Sequence, residues 1–246
     1  EKQNYAQLIS DMRSQFNKAG TSKGRNYLLT IAAPAGSGWF ERVPWERIQH
    51  DVDWINLMTY DYSVSWSKSA VTGFNSPLYS SSQDTVKHIP GRSIHDTVQA
   101  YIEAGVEPEK IVIGVPFYGR GWQGVPSVQD GLYQHPRNPG DAHLSAVAYH
   151  YHEIKEKYLS RAARHWHDVA QVPWIYDSST GLMISYDDPE SASRKAQYVK
   201  DWHLGGAMIW EISKDDEDFS LLKAISSTLR PESASGSVAL AQNLEK

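Results

Sequence analysis

Three short runs carry residues able to handle a polar ligand at the point where an apolar segment ends. Asp53-Trp54-Ile55-Asn56-Leu57-Met58-Thr59 leads into Tyr60-Asp61, Ile111-Val112-Ile113-Gly114-Val115-Pro116-Phe117 into Tyr118-Gly119-Arg120, and Ala207-Met208-Ile209 into Trp210-Glu211. The aromatic rings offer flat apolar platforms, Tyr and Arg offer hydrogen-bond donors, and Asp and Glu offer acceptors. That combination suits the face and the hydroxyl rim of a sugar ring. Ile55, Leu57 and Met58 read as a strand buried on both faces, as in a parallel sheet covered by helices, and Tyr60-Asp61 fall where such a strand emerges. In α/β barrels the carboxyl ends of the strands are the working face.

The elements that would hold these runs alternate. Tyr5, Leu8, Ile9, Met12 and Phe16 recur at helical spacing, with Gly20 as the expected stop. A strand over 27–33 ends at Pro34-Ala35-Gly36, a short helical stretch surrounds Trp45 and Ile48, and the strand over 54–60 follows. Ser93 with Asp96 resembles a capping box for a helix through Ile94, Val98, Tyr101 and Ile102 that Gly105 ends. Asp188 as N-cap with Pro189 at the first helical position opens another helix through Ala192, Ala196 and Val199. A final helix carries Phe219, Leu222, Ile225 and Leu229. Such strand-helix alternation predicts parallel βα units, four strands where a closed barrel has eight. Residues 122–187 interrupt it with a helical stretch near 144–163 and a hairpin in which 174–176 and 182–184 flank Asp177-Ser178-Ser179-Thr180-Gly181. This predicts an α+β insertion walling a cleft, with residues 1–121 and 188–230 as the partial barrel and 231–246 as a flexible tail.

Composition bounds the partners. The chain has 246 residues, 40% of them hydrophobic, with a net charge of -5. Without a long basic run it has no electrostatic footing for nucleic acid or an anionic membrane, and a neutral ligand suits it better. Nine Trp and fourteen Tyr suit stacking on sugars, although core packing accounts for most of them. The absence of cysteine excludes disulfides, thiol catalysis and thiolate metal sites. No apolar stretch approaches the roughly 20 residues that span a bilayer, and the opening Glu1-Lys2-Gln3-Asn4 is not a secretory signal.

Taken with Ile184-Ser185-Tyr186-Asp187-Asp188-Pro189, the three strand-end motifs resemble, in family order over about residues 1–230, the chitinases of glycoside hydrolase family 18 in the subgroup with an α+β insertion. The resemblance implies the second half of a TIM (β/α)8 barrel. It also implies that Trp210 floors the subsite where an N-acetylglucosamine ring is distorted, and that Tyr60 and Asp61 hold the acetamido group. Met58 and Ala32 would line that pocket, Tyr118 and Arg120 would bond the sugar or the cleft wall, Glu211 would contact a neighbouring sugar, and Trp66 would stack on the leaving-group side. Hydrolysis of β-1,4-linked N-acetylglucosamine polymers would be substrate-assisted and retaining, the acetamide replacing the enzyme nucleophile, with no cofactor. Secretion is likewise implied by the family alone.

That chemistry also needs a general acid. The family carries it as a Glu in an Asp-x-x-Asp-x-Asp-x-Glu motif on the fourth barrel strand, and this motif is not in the sequence. Asp51-Val52-Asp53-Trp54 imitates it, but the segment matches the start of the sixth family strand. The expectation is therefore a half barrel whose other half belongs to a longer gene product or another polypeptide, with little or no hydrolysis by this chain alone. A non-catalytic chitin-oligosaccharide-binding protein or an inactive fragment is the alternative. Taken singly the residues have ordinary roles: Tyr60 and Trp210 as core aromatics, Asp61 as a helix cap, Arg120 as partner to an acid of the insertion. His150-x-His152 and His165-x-His167 do not have the i, i+4 spacing that puts two ligands on one helix face, so solvated histidines are favoured over zinc.

Overall fold

Local signals set most element ends in the computed structural model, which describes residues 2–35, 42–64, 71–84, 92–137 and 148–230. In chain order these form α1 (Lys2–Lys23), β1 (Thr30–Pro34), α2 (Trp45–Ile48), β2 (Trp54–Met58), α3 (Ile94–Glu103), β3 (Ile111–Pro116) and β4 (Tyr118–Trp122). They continue as β5 (Ala148–His150), β6 (Ala163–His167), β7 (Val172–Asp177), β8 (Leu182–Ser185), α4 (Pro189–Asp201), β9 (Gly206–Trp210) and α5 (Ser220–Leu229). The Ser93 side chain accepts from the Asp96 N–H to cap α3, and Asp188 and Ser191 form a reciprocal capping box on α4 with Pro189 at its start.

Helix α1 runs past Gly20. The Arg25 N–H donates to the Gly20 carbonyl at 3.0 Å and Gly24 takes φ 62°, so the left-handed residue that ends the helix is Gly24. Gly20 is buried where the Arg25 carbonyl leaves no room for a Cβ.

Strands β1, β2, β3 and β9 pair in that order, all parallel. Among the described residues the sheet stays open, a four-stranded segment and not a closed barrel. Helices α1, α3 and α4 contribute Ile9, Val98, Tyr101 and Val199 to the core that buries Ile55, Leu57, Ile111 and Ile113. The expectation that β2 is buried on both faces needs correction: Ile55 and Leu57 are buried, whereas Trp54, Asn56 and Met58 are only half-buried. Side chains alternate along a strand, so helices cover the convex face while the concave face carries a lighter cover. Registers Ala32↔Asn56, Asn56↔Val112 and Val112↔Gly206 mark one row across that concave face. Pro34↔Met58 and Gly114↔Met208 mark the next, and Pro116↔Trp210 lies at the carboxyl end.

The second sheet has the order β5-β4-β8-β7-β6 and is antiparallel. Strands β7 and β8 form the hairpin that the spacing predicts, with Asp177 opposite Leu182 and Gly181 at φ 67°. Of the helical stretch expected near 144–163, the described part is helical only over 151–158. Residues 148–150 are strand, Tyr151–Glu153 and Ile154–Tyr158 make only short helical turns, and β6 begins at Ala163. Tyr149 is drawn into the sheet opposite Gly119, and its ring fills the space beside Gly121, where a Cβ would lie 2.5 Å from it. Strand β4 belongs to this sheet while its predecessor β3 belongs to the parallel one, so Phe117, fully buried, is the junction between them.

Candidate functional site

Thr59 turns the chain out of β2. Its hydroxyl donates to the Gly114 carbonyl at 2.7 Å and accepts the Gly114 N–H at 2.8 Å, extending the link between the two strands beyond their regular ladder. Tyr60 then lies on the concave side over Gly114, where a Cβ would come within 2.8 Å of its ring and 2.6 Å of the Leu57 carbonyl. Absence of a side chain at 114 is thus what lets the Tyr60 ring settle. Asp61 follows at φ 62°, a left-handed conformation that Asp tolerates better than most residues.

The carboxylate of Asp61 is the focus of the site. Arg120 Nε and Nη2 donate to Oδ1 and Oδ2 at 2.7 and 2.8 Å, and the Tyr118 hydroxyl donates to Oδ1 at 2.9 Å. A two-pronged guanidinium contact of this kind fixes orientation as well as charge. Arg120 therefore partners Asp61, and among the described residues Asp61 caps no helix. The Tyr118 ring stands edge-on to Tyr60 at 6.0 Å and lies under the Arg120 guanidinium at 4.8 Å, with Lys214 Nζ at 5.2 Å from its centre.

Protonation states follow from this environment. Burial, helped by the Asp61 charge, pushes the Tyr60 phenol up to about 12 and moves Tyr118 upward as well. Both remain hydroxyl donors at neutral pH. Burial works against the Arg120 charge, but the hydrogen bonds to Asp61 outweigh it and raise the guanidinium above its ordinary value.

On the other side of the concave face Trp210 ends β9 with 51% of its surface exposed, a high value for a large aromatic at a strand end. Glu211 is exposed beside it and accepts from the Ser213 hydroxyl at 2.9 Å. Met58 lies in the row below Tyr60 and Ala32 one row further down, exposed. Trp66 lies outside the described residues. The structure thus brings Tyr60, Asp61, Tyr118 and Arg120 into direct contact and puts Met58 and Trp210 on the same concave face. Ala32 is set deeper and nearer the sheet edge.

Residues that sequence reasoning did not single out hold this arrangement. Asn75, 1% exposed, accepts the Asp61 N–H at 3.0 Å and donates to the Tyr118 carbonyl at 3.0 Å. Ser76 donates to the Thr59 carbonyl at 2.7 Å and accepts from Lys195 Nζ at 2.9 Å. Lys195 in turn pairs with Asp187 at 2.6 Å, their side chains 0% and 1% exposed. Burial pushes the Asp187 carboxyl up and the Lys195 ammonium down, each opposed by the partner's charge. In the sequence, Asp187 falls in the Ile184–Pro189 motif, and Lys195 is a cation on the same helical face as Ala192, Ala196 and Val199.

Asp53 and the histidine pair of β6 have structural partners. Asp53 accepts from Arg13 and from the Leu29 N–H, both at 2.6 Å, and is held below the usual carboxylate range by these bonds against the effect of burial. His165 stacks on Trp174 at 5.0 Å, and His167 Nδ1 accepts the Ala170 N–H at 3.0 Å. Among the described residues no group of three or more His, Cys, Asp or Glu could hold a metal ion, and no helix is long and apolar enough to cross a membrane.

Known proteins share this fold. The family model for glycosyl hydrolases family 18 matches residues 1–215. Chitinase A1 of Niallia circulans is 37% identical over 221 residues, covering 87% of this chain and 31% of the relative. Among solved structures, a glycoside hydrolase family 18 N-acetylglucosaminidase from Paenibacillus barengoltzii superposes with a TM-score of 0.82 at 33% identity, covering 93% of this chain and 64% of that one. Human YKL-39, described as a pseudo-chitinase with retained chitooligosaccharide binding, superposes with a TM-score of 0.82 at 29% identity, covering 93% and 65%. The chain spans about a third of the length of the first relative and under two thirds of either solved chain.

Proposed function

Because the chain belongs to family 18 of the glycosyl hydrolases, we propose that it carries the acetamido-positioning side of a chitinase site acting on β-1,4-linked N-acetylglucosamine polymers. Two strand ends divide the work. Trp210 stacks under the reacting sugar, the Tyr60 hydroxyl donates to the acetamido carbonyl, and the Asp61 carboxylate accepts from its N–H and stabilises the positive charge that develops as the acetamide attacks. Met58 and Ala32 line the pocket, Trp66 stacks on the leaving-group side, and Glu211 contacts a neighbouring sugar. Residues 122–187 form the inserted wall, and residues 1–121 with 188–230 form the barrel portion. Hydrolysis is retaining and substrate-assisted, a route in which no enzyme carboxylate attacks the sugar. The setting is extracellular.

The observation that carries this reading is the clamped Asp61. An acid placed at a strand end, gripped by Arg120 and Tyr118 and flanked by a protonated Tyr60, has one defined direction in which to meet a ligand amide. The Asp-x-x-Asp-x-Asp-x-Glu motif is not in the sequence, and on this reading a general acid carried by a further segment completes the catalytic site. A second reading, chitin-oligosaccharide binding without catalysis, is favoured by the same missing motif.

Hydrolysis of a fluorogenic chitobioside, by this chain alone and mixed with a motif-bearing first half of a barrel, separates the two. Turnover only on mixing supports the enzyme. Binding of chitotetraose without turnover in either state supports the second reading, and turnover by this chain alone would refute the assignment of the acid. In the binding assay Trp210→Ala is expected to raise Kd at least tenfold, about 1.4 kcal/mol; an unchanged Kd would remove Trp210 from the site.

A further inference from the structure

The segment over residues 72–78 connects the Asp61 clamp to the second sheet, and nothing in its composition announces that role. Thr72, Phe74, Asn75, Ser76 and Leu78 are all buried. On one flank the Thr72 N–H donates to the Gln134 carbonyl at 2.9 Å, the Thr72 hydroxyl donates to the Gly131 carbonyl at 2.6 Å, and the Leu78 N–H donates to the Ala170 carbonyl at 2.9 Å. The Phe74 ring is enclosed by Tyr133, His167 and Trp174 at 6.0, 5.3 and 5.8 Å. The segment is therefore anchored on residues 131–134 and 167–174 before it reaches the site.

Asn75 uses four groups to join three elements. Its side-chain oxygen accepts the Asp61 N–H, its side-chain amide donates to the Tyr118 carbonyl, its own N–H donates to Ser185 Oγ at 2.9 Å, and its carbonyl accepts the Tyr62 N–H at 3.1 Å. Ser185 stands opposite Arg120 in the β4–β8 ladder. Asp61 and Tyr118 are thus tied directly to the Asn75 side chain, and Arg120 is tied to the Asn75 backbone through its ladder partner Ser185. A primary amide offers an acceptor and a donor on one plane, and the partners dictate which end faces which. Asp at this position would keep the acceptor and lose the donor; Ala would leave the Asp61 N–H and the Tyr118 carbonyl without partners.

We propose that Asn75 is a positioning residue, holding the left-handed Asp61 backbone and the Tyr118 backbone in one frame so that the Asp61 carboxylate faces the ligand acetamido group. The part concerning the ligand rests on the sugar-binding reading above; the part concerning Asp61 does not.

The test uses the 246-residue chain, with Asn75→Ala, Asn75→Asp and, as a control for general destabilisation, Ile113→Val in the buried core. Residue-resolved amide exchange by NMR and chitotetraose binding by calorimetry are measured on each. In Asn75→Ala the Asp61 amide is expected to exchange about tenfold faster relative to the Leu57 amide, and Kd to rise about tenfold. Asn75→Asp should retain the Asp61 protection and show a smaller loss of affinity. Ile113→Val should lower Tm and move neither readout. Unchanged Asp61 exchange in Asn75→Ala, or unchanged affinity in that variant while the parent chain binds, overturns the proposal. Should Asn75→Ala not fold, Asn75→Asp decides it: affinity equal to that of the parent overturns it. A parent chain that binds no chitotetraose refutes the sugar-binding reading, and the exchange arm still decides whether Asn75 holds Asp61.

Discussion

Replacing Lys195 by Met tests the support beneath the site most directly. The ammonium is fully buried, contacts Asp187 at 2.6 and 2.7 Å, and donates to Ser76 at 2.9 Å. Met preserves the stem and removes the charge, leaving the Asp187 carboxylate buried with the Ser191 hydroxyl at 2.7 Å. Breaking a buried pair from one side costs about 3–5 kcal/mol, because the other charge stays out of water uncompensated. For a domain of this length about 1 kcal/mol corresponds to 2–4 °C, so Tm should fall by about 6–20 °C. Urea unfolding of the parent and Lys195→Met chains measures the same loss as a lower midpoint with an unchanged slope. The double variant Lys195→Met with Asp187→Asn removes both charges and should be more stable than the single one. Lowering the pH should narrow the deficit of Lys195→Met. With its folded value raised by burial, Asp187 takes up a proton on folding, and stability then rises as pH falls. A single variant within about 1 kcal/mol of the parent, or a double variant less stable than the single one, would refute the reasoning.

Gly114→Ala forces a methyl to within 2.8 Å of the Tyr60 ring and 2.6 Å of the Leu57 carbonyl. A loss of about 1–3 kcal/mol in stability, with weaker chitotetraose binding, is expected from calorimetry; unchanged Tm and affinity would mean that Tyr60 is not seated where we describe it. His167 is held below its ordinary 6.5, burial being the main cause, with the Ala170 N–H on its Nδ1 and the Phe74 and Tyr133 rings around it. The unfolded chain therefore binds this proton more readily than the folded one. The stability held by the neutral ring is complete above about 6.5 and is lost as pH falls through the folded value. Tm of the parent should drop more steeply below pH ~6.5 than that of His167→Gln; parallel Tm curves would refute the assignment.

What the sequence could convey about the fold was local. Ser93 and Asp188-Pro189 announce helix starts within four residues, and the all-apolar Ile111–Pro116 can only be a covered strand. The misread segments depend on partners far along the chain. Residues 148–150 make a three-residue strand only because Gly119 and Gly121 leave room for Tyr149, so a local pattern reads as helix. The concave face of β2 reads as buried because Trp54 and Met58 look the same whether or not something covers them. For the site, strand-end residues such as Tyr60, Asp61 and Arg120 stand out by type. Asn75 does not, because a loop asparagine is ordinary until its bonds to Asp61, Tyr118 and Ser185, up to 110 residues away, are known.

The concave row containing Met58 and Met208 gives the cleft a chemical vulnerability. Both residues are half-buried, and the Met208 methyl lies 3.2 Å from where a Cβ at Gly114 would be, whereas Met183 is fully buried. Peroxide would convert exposed thioethers to sulfoxides before buried ones, turning flexible apolar side chains polar. The floor beneath Tyr60 would then lose its apolar character while the core stayed intact. Oxidative damage to this protein should therefore be felt in ligand recognition well before it is felt in folding.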